Sequence, residues 1–433
     1  MFTYAYTILA ILVAAFIAAK FCKLSTELSM LISACAAALY HGVVYGGDKF
    51  PVRYIVEGMF TYFDVCLIFI TATFFMSLIK ESGGVAFIVR RIVDKFRSRR
   101  MICLLLLTLV MLIPGALTGS GATTVLTVGA LVGSVLAVMG VSPEKRCAAI
   151  FLTAAMSAAA PPINIWAMMA AAGANMPYVG FTWPLAVLSV FGAVFSMFYL
   201  AWGGAPIDEK QVHELLPEPP EKMNWFRVIT PFLVLAALII AGRVFPFDFP
   251  ILGLPLIFMI SAAAAILLSP IKLDIWKVSC TTVANLLPLV GIMVVVGALN
   301  EVMAMTGARG LISLLIVTLP LTTLFATLFF ILPISEGILQ YAVAPLIGVP
   351  LIMLFNMKGL NPIICLSAMA TMWPLGDCLP PTAVVGRAAV MELDYKGSYY
   401  KGFVKSCTVP FIAISIVCTL FLVFSKQLSF LAQ

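Results

Sequence analysis

Long apolar runs, each broken off by a short polar stretch, follow one another along the whole of this 433-residue chain. A helix rises about 1.5 Å per residue, so about 20 apolar residues cross the hydrocarbon of a bilayer. On that measure the first half carries spans at 4–21, 26–45 and 57–79, paired shorter runs at 101–115 and 122–139, and longer segments at 146–172 and 181–203. A polar stretch follows at 204–226. The second half repeats the order, with spans at 227–246, 251–269 and 280–300, paired runs at 311–332 and 341–356, then segments at 361–390 and 403–425.

The repetition extends to single residues. Pro114–Asn164 and Pro333–Ala383 align without a gap at an offset of 219 positions. That offset matches Pro114 with Pro333, Gly129 with Gly348, Gly140 with Gly359, Pro143 with Pro362, Ala149 with Ala368, and Pro161-Pro162 with Pro380-Pro381. These identities fall on residues with special backbone behaviour, which is the mark of an internal duplication. Farther out, ISACAAAL at 32–39 resembles ISAAAAIL at 260–267, so the duplication reaches nearly the whole chain.

If each pair of shorter runs enters and leaves on one side as a re-entrant hairpin, each half has five full crossings, an odd number that inverts the second half. The expected fold class is an all-α polytopic membrane protein of two inverted repeats. The first repeat is 1–203, with scaffold spans in 4–79, an interfacial arm helix at 85–100, a hairpin at 101–139 and a proline-broken helix at 146–172. A cytoplasmic linker at 204–226 leads to the second repeat, 227–433, with scaffold spans in 227–300, a hairpin at 311–356 and a broken helix at 361–390. The arm is predicted from VAFIVRRIVDKFRSRR, where apolar residues at helical spacing alternate with basic ones.

Charge supports this threading. With the amino terminus outside, 19 of the 26 Lys and Arg fall in segments that face the cytoplasm, Arg90, Arg91, Lys95, Arg97, Arg99 and Arg100 among them. The net charge of +7 is therefore a signature of topology rather than of nucleic-acid binding. Composition agrees, at 63% hydrophobic and 10% charged residues with a mean hydropathy of +1.11. The segment Tyr4–Ala19 lacks a preceding basic region and a small-residue cleavage site, and is expected to be a retained span. The ten cysteines are scattered without a Cys-x-x-Cys pair, and His41 and His213 stand far apart, which argues against a disulfide frame or a transition-metal centre. No P-loop, no nucleophile–base pair and no stretch long enough for a soluble nucleotide-binding domain is present, so an ATP-driven pump or an enzyme is not the expectation.

The breaks carry the candidate chemistry. Non-helical backbone at membrane depth survives only where protein or water covers it. The first tip, Thr118–Thr124, and the break at Pro161-Pro162 expose carbonyls and hydroxyls suited to a small hard cation, and helix amino termini suited to a carboxylate. Small residues also serve close helix packing. The second tip, Pro333–Gly337, carries Glu336, and the second break carries Asp377. Acids at membrane depth are costly and functional as a rule; this pair suits cation coordination or proton coupling, or pairing with Arg387 or Lys358. Candidate cation ligands are thus Ser120, Thr123, Pro161, Ser335, Glu336, Gly337 and Asp377. Candidate substrate contacts are Thr118, Gly119, Ser120, Gly121, Asn164 and Thr382. Asn164 suits either a substrate oxygen or a helix cap, and Arg387 either a substrate carboxylate or the cytoplasmic surface.

The arrangement of tip, arm and proline pair, twice over, resembles the ion transporter superfamily. Within it the chain is most similar to the large membrane subunit of tripartite ATP-independent periplasmic (TRAP) transporters. The residues that carry the likeness are GSGATT at 119–124, the AAIFLTAA…PP run at 148–162, Glu336 with Pro345, and Gly376 before Pro380-Pro381. Ile163 stands where that family usually has Ser, and Leu379 where it usually has Thr. The resemblance implies an elevator-type secondary transporter in a bacterial inner membrane, taking up a small organic anion such as a carboxylate. Sodium would be the coupling ion, with no other cofactor, at Ser120/Thr123 against the 161–164 break and at Ser335/Glu336 against the 376–382 break. It also implies a small four-helix membrane subunit and a periplasmic binding protein as partners. The alternative within the superfamily is a cation/proton antiporter working through Glu336 and Asp377.

Overall fold

A computed structural model describes residues 2–45, 51–203, 215–245, 250, 252–318, 320–380 and 382–432. Lys49, residues 204–214 of the linker with His213, and Pro381 of the second proline pair lie outside the described residues. Among the described residues there is no strand, and ten helices are long and apolar enough to cross a membrane. The all-α polytopic membrane architecture follows directly.

The chain opens with the helical pair α1 (Phe2–Phe21) and α2 (Thr26–Tyr45), tied where the Ser33 hydroxyl donates to the Leu12 carbonyl at 2.6 Å. The span expected at 57–79 is two helices, α3 (Val52–Phe60) and α4 (Phe63–Glu81). Neither Gly nor Pro marks this break at Thr61-Tyr62. It sits beside a close crossing where Gly58 lies against Gly297, so near that a Cβ on Gly58 would come within 2.6 Å of the Gly297 carbonyl. The arm helix is α5 (Gly84–Phe96), which starts after Gly83 in the left-handed region at φ +82° and ends four residues earlier than expected. Its apolar face is covered by protein: Phe87 packs on Trp225, Met223 and Val228, while Arg91 and Lys95 stay exposed.

The first hairpin is α6 (Arg100–Thr118) and α7 (Gly121–Val138). The helix after it is broken into α8 (Pro143–Ala159) and α9 (Ile165–Gly173), and α10 (Thr182–Ala201) closes the half. The second half runs through α11 (Trp225–Val244), α12 (Leu254–Leu268) and the 31-residue α13 (Ile275–Met305), then α14 (Ala308–Val317). Its hairpin is α15 (Leu321–Leu339) and α16 (Ala344–Met357), its broken helix α17 (Pro362–Met372) and α18 (Val384–Glu392), and its last helix α19 (Tyr399–Val423).

At several backbone landmarks of the hairpins and broken helices the 219-residue offset holds to the residue. A π turn at Val125–Gly129 in α7 is matched by one at Ala344–Gly348 in α16. Pro143 and Pro362 start the broken helices, Asn164 and Ala383 precede the helices after the breaks, and Gly140 and Gly359 adopt φ +75° and +70°.

Two expectations for the second half need correction. The arm assigned to 311–332 is not one helix, because residues 308–317 form α14 and the hairpin begins at Leu321, behind Pro320. α14 starts after Gly307 at φ +75°, as α5 starts after Gly83, and is the second-half counterpart of the arm. The second tip is also displaced. Pro333–Gly337 is helical, and the turn lies at Gln340, with φ +53°. Pro333 lacks a donor but needs only one unpaired carbonyl a turn earlier, so it does not end the helix here.

The core is built around α8 and α17. Every residue from Cys147 to Ala159 is buried, as is every residue from Ile364 to Cys378. Runs of Ala and Ser let the hairpins approach these two helices closely.

Candidate functional site

Each hairpin is fastened to the broken helix of its own half. The Gly115 N–H donates to the Ser157 Oγ of α8 at 2.8 Å, and the Ser157 hydroxyl reaches the Leu112 carbonyl and the Thr124 Oγ1, each at 2.9 Å. Beyond the cis Pro161-Pro162 bond, the Ile163 N–H donates to the Ala116 carbonyl at 3.1 Å. In the second half the Thr382 N–H and Oγ1 both donate to the Gly337 carbonyl, at 3.1 and 2.9 Å. Gly376 occupies the position that Ser157 holds in the first half. It lies so close to Pro333 that any Cβ would collide with the Pro333 carbonyl.

The first tip is a tight turn confined to Gly119-Ser120. Gly119 takes φ +69°, the Thr118 Oγ1 donates to the Pro114 carbonyl at 2.8 Å, and the Ser120 Oγ accepts the Thr123 N–H at 3.3 Å as the cap of α7. Asn164 caps α9: its Oδ1 accepts the Ala167 N–H at 2.9 Å and its Nδ2 donates to the Ala159 carbonyl at 3.0 Å. Of the two roles expected for Asn164, the structure therefore displays the cap. The Ser335 hydroxyl turns back onto the Leu332 carbonyl of its own helix at 2.7 Å. Arg387 and Lys358 are exposed.

Across the two halves the pairing changes. The helix that follows the first break meets the second tip: the Trp166 indole N–H donates to Glu336 Oε2 at 2.9 Å, and its ring lies 4.7 Å from the Tyr341 ring. The Tyr341 hydroxyl in turn donates to the Gly119 carbonyl of the first tip at 3.4 Å. Val385, 219 positions after Trp166, packs against Gly121 of the first tip. Both tips, α9 and α18 thus converge on one point.

Two buried acids lie there. Glu336 is 1% and Asp377 6% exposed, and they sit within electrostatic reach of each other. Among the described residues, Glu336 Oε1 has no hydrogen-bond partner. Ser120, Leu289, Gln340, Tyr341, Asp377 and Val385 line a gap of about 10 Å³, room for about one water-sized particle. This gap brings together residues of both cation sets named from the sequence: Ser120 from the first, Asp377 from the second.

A larger cavity of about 500 Å³ adjoins it between α4, α13 and the first hairpin. One end is charged, with Lys80, Glu81, Lys272, Asp274 and Lys277, and the other reaches Ser120 and Thr123. Ser120, Ala122 and Leu289 line both spaces, so the first tip and one turn of α13 are the partition between them. From Asp274 to Leu289 the cavity follows α13 for about 22 Å.

Sequence reasoning missed Trp166, Tyr341 and the three cavity lysines. The polar pair Gln340-Tyr341 between two apolar runs was the available signal for the true position of the second tip. Nothing local marks Lys272 or Lys277, which read as ordinary loop charges.

Solved structures of membrane transporters share this fold. Neisseria gonorrhoeae MtrF, described as illuminating a class of antimetabolite efflux pumps, superposes with a TM-score of 0.61 over 87% of this chain and 84% of its own, at 15% identity. The Alcanivorax borkumensis YdaH transporter, described as having an unusual topology, superposes with a TM-score of 0.64 over 92% of this chain and 99% of its own, at 13% identity. No protein-family model and no curated protein sequence matches the chain. At these identities what is shared is the fold alone. The narrower likeness to the large TRAP subunit, with the partner subunits it implied, finds no support in these matches.

Proposed function

We propose that this chain is a secondary active transporter that carries a small organic anion across a bacterial inner membrane, coupled to a cation held at Glu336 and Asp377. The observation that carries the reading is the shared partition: a charged, water-accessible cavity ends on the hairpin tip that also lines the buried acid gap. A substrate in the cavity and an ion in the gap would both press on Ser120. The lysines at the cavity mouth suit a carboxylate, and the positive-inside distribution puts that mouth on the cytoplasmic side. Two buried acids side by side suit a monovalent cation, because like charges in a low dielectric demand a counter-charge or a proton. The alternation would be elevator-like, with hairpins and broken helices moving together because each pair is stitched by backbone hydrogen bonds.

Sodium is the coupling ion in this reading. The proton is the second reading, because two buried acids in each other's field can share a proton as well as hold a cation. The test is thermal stability of the purified protein in sodium, potassium and choline chloride at equal ionic strength, together with counterflow of labelled carboxylates in proteoliposomes. A sodium-specific rise, lost in Asp377→Asn and Glu336→Gln, is expected. A ligand at a hundredfold its Kd stabilises by about 2.7 kcal/mol, which is readily measured. Transport driven by a pH gradient and indifferent to sodium would replace sodium coupling with proton antiport.

A further inference from the structure

Lys80 joins two parts of the molecule that the proposed transport cycle would separate. It stands in the last turn of α4, and α4 is firmly seated in the scaffold: Phe75 packs edge-on against Phe232 of α11 at 5.3 Å and against Phe258 of α12, and the Thr282 hydroxyl of α13 donates to the Ser77 Oγ at 3.2 Å. On its other side, the Lys80 ammonium donates to the Leu126 carbonyl at 2.7 Å. Leu126 belongs to the π turn Val125–Gly129 of the first hairpin, where pairing shifts from i+4 to i+5 and the ladder is locally rearranged. This contact lies in the wall of the 500 Å³ cavity, and the Lys80 side chain is exposed to it.

We propose that Lys80 is an anion-responsive latch, holding the first hairpin to the scaffold until a carboxylate in the cavity takes over its ammonium. The proposal rests on the reading of the cavity as the site of an organic anion. The chemistry is a competition between acceptors. An ammonium–carboxylate hydrogen bond carries charge on both sides and is stronger than an ammonium–carbonyl bond. An anion that reaches Lys80 therefore binds the unlatched hairpin better than the latched one, and this differential affinity is what shifts a conformational equilibrium. Glu81, Lys272, Asp274 and Lys277 also face the cavity. Asp274 already accepts the Lys277 N–H at 3.0 Å as the cap of α13, which leaves the lysine ammoniums as its anion-seeking groups. The freed hairpin carries Ser120, so unlatching at Lys80 would be felt at the acid gap.

Hydrogen exchange of the full chain in lipid nanodiscs, read by mass spectrometry over residues 119–130, tests this. Lys80→Met and Lys80→Gln are expected to speed exchange in that segment about fivefold, the loss of roughly one hydrogen bond's net contribution, and Lys80→Arg to stay near the wild type. At constant ionic strength with chloride as reference, a panel of acetate, benzoate and succinate is expected to include an anion that speeds exchange in the wild type and has no effect in Lys80→Met. Unchanged exchange in both neutral variants overturns the latch. An anion effect that survives in Lys80→Met, or its absence across the panel in the wild type, overturns the anion's part. Counterflow in proteoliposomes separates the two readings: a responsive latch with no carboxylate counterflow removes the transport assignment and leaves the latch standing.

Discussion

The indole N–H of Trp166 donates to Glu336 Oε2 across 2.9 Å, although the two residues stand 170 positions apart and in opposite halves of the chain. Each half's hairpin is stitched to its own broken helix by backbone atoms, but this bond runs between halves. It is a side-chain contact at the centre of the molecule, where a buried acid would otherwise have one more oxygen without a donor.

Replacing Trp166 with Phe keeps a ring against Tyr341 and removes the donor. A hydrogen bond contributes about 0.5–1.5 kcal/mol net, and about 1.5–3 kcal/mol when its acceptor is a carboxylate; thermal unfolding is expected to record a loss within that span. Combining Trp166→Phe with Glu336→Gln tests whether the bond is the cause. The two effects should then be clearly less than additive, and full additivity would show that Trp166 acts through packing alone.

Gly376→Ala is expected to be among the most damaging small substitutions in the chain. Its methyl group would meet the Pro333 carbonyl, a backbone atom of a helix that cannot move without pulling the second tip from its break. Overpacking of this kind costs about 1–3 kcal/mol and more where backbone must shift. Gly242→Ala, inside α11 with nothing within 4 Å of the new methyl group, is the matched control and should not lower the melting temperature, since Ala favours a helix over Gly.

Ser157→Ala removes one hydroxyl that serves the Gly115 N–H, the Leu112 carbonyl and Thr124 at once. The buried Gly115 N–H would lose this acceptor, at a cost of about 1–3 kcal/mol. Faster hydrogen exchange confined to the first hairpin, with the second unaffected, is the expected pattern.

Asn164→Ala separates a cap from a substrate contact. Loss of an N-cap costs about 1 kcal/mol, and Asp at the same position should recover most of it. If Asn164 only caps α9, substrate affinity will follow stability across Ala, Ser and Asp variants. An affinity loss in Asn164→Asp, with stability restored, would return Asn164 to the substrate.

The sequence by itself determined the class, the duplication and most helix boundaries. Each of these is a local property: apolar length fixes what can cross a bilayer, and Gly and Pro at 140, 143, 359 and 362 punctuate the chain wherever they occur. The shared π turns and the left-handed Gly140 and Gly359 show how closely the two copies follow the same local rules. Glu336, Asp377 and Ser120 stood out for a similar reason, since polar groups inside apolar segments are visible in one dimension. Tertiary structure decided the rest. Pro333 stays helical and the second turn falls at Gln340, because packing on Gly376 and the Thr382 bonds hold α15 together past its proline. Residues 308–317 separate as their own helix rather than extending the hairpin. The meeting of Trp166, Tyr341, Glu336 and Ser120, and the placing of Lys80, Lys272 and Lys277 around one cavity, depend on how the two halves dock. That docking is a sum of many weak, nonlocal contacts between residues far apart in sequence, and no spacing along the chain encodes it.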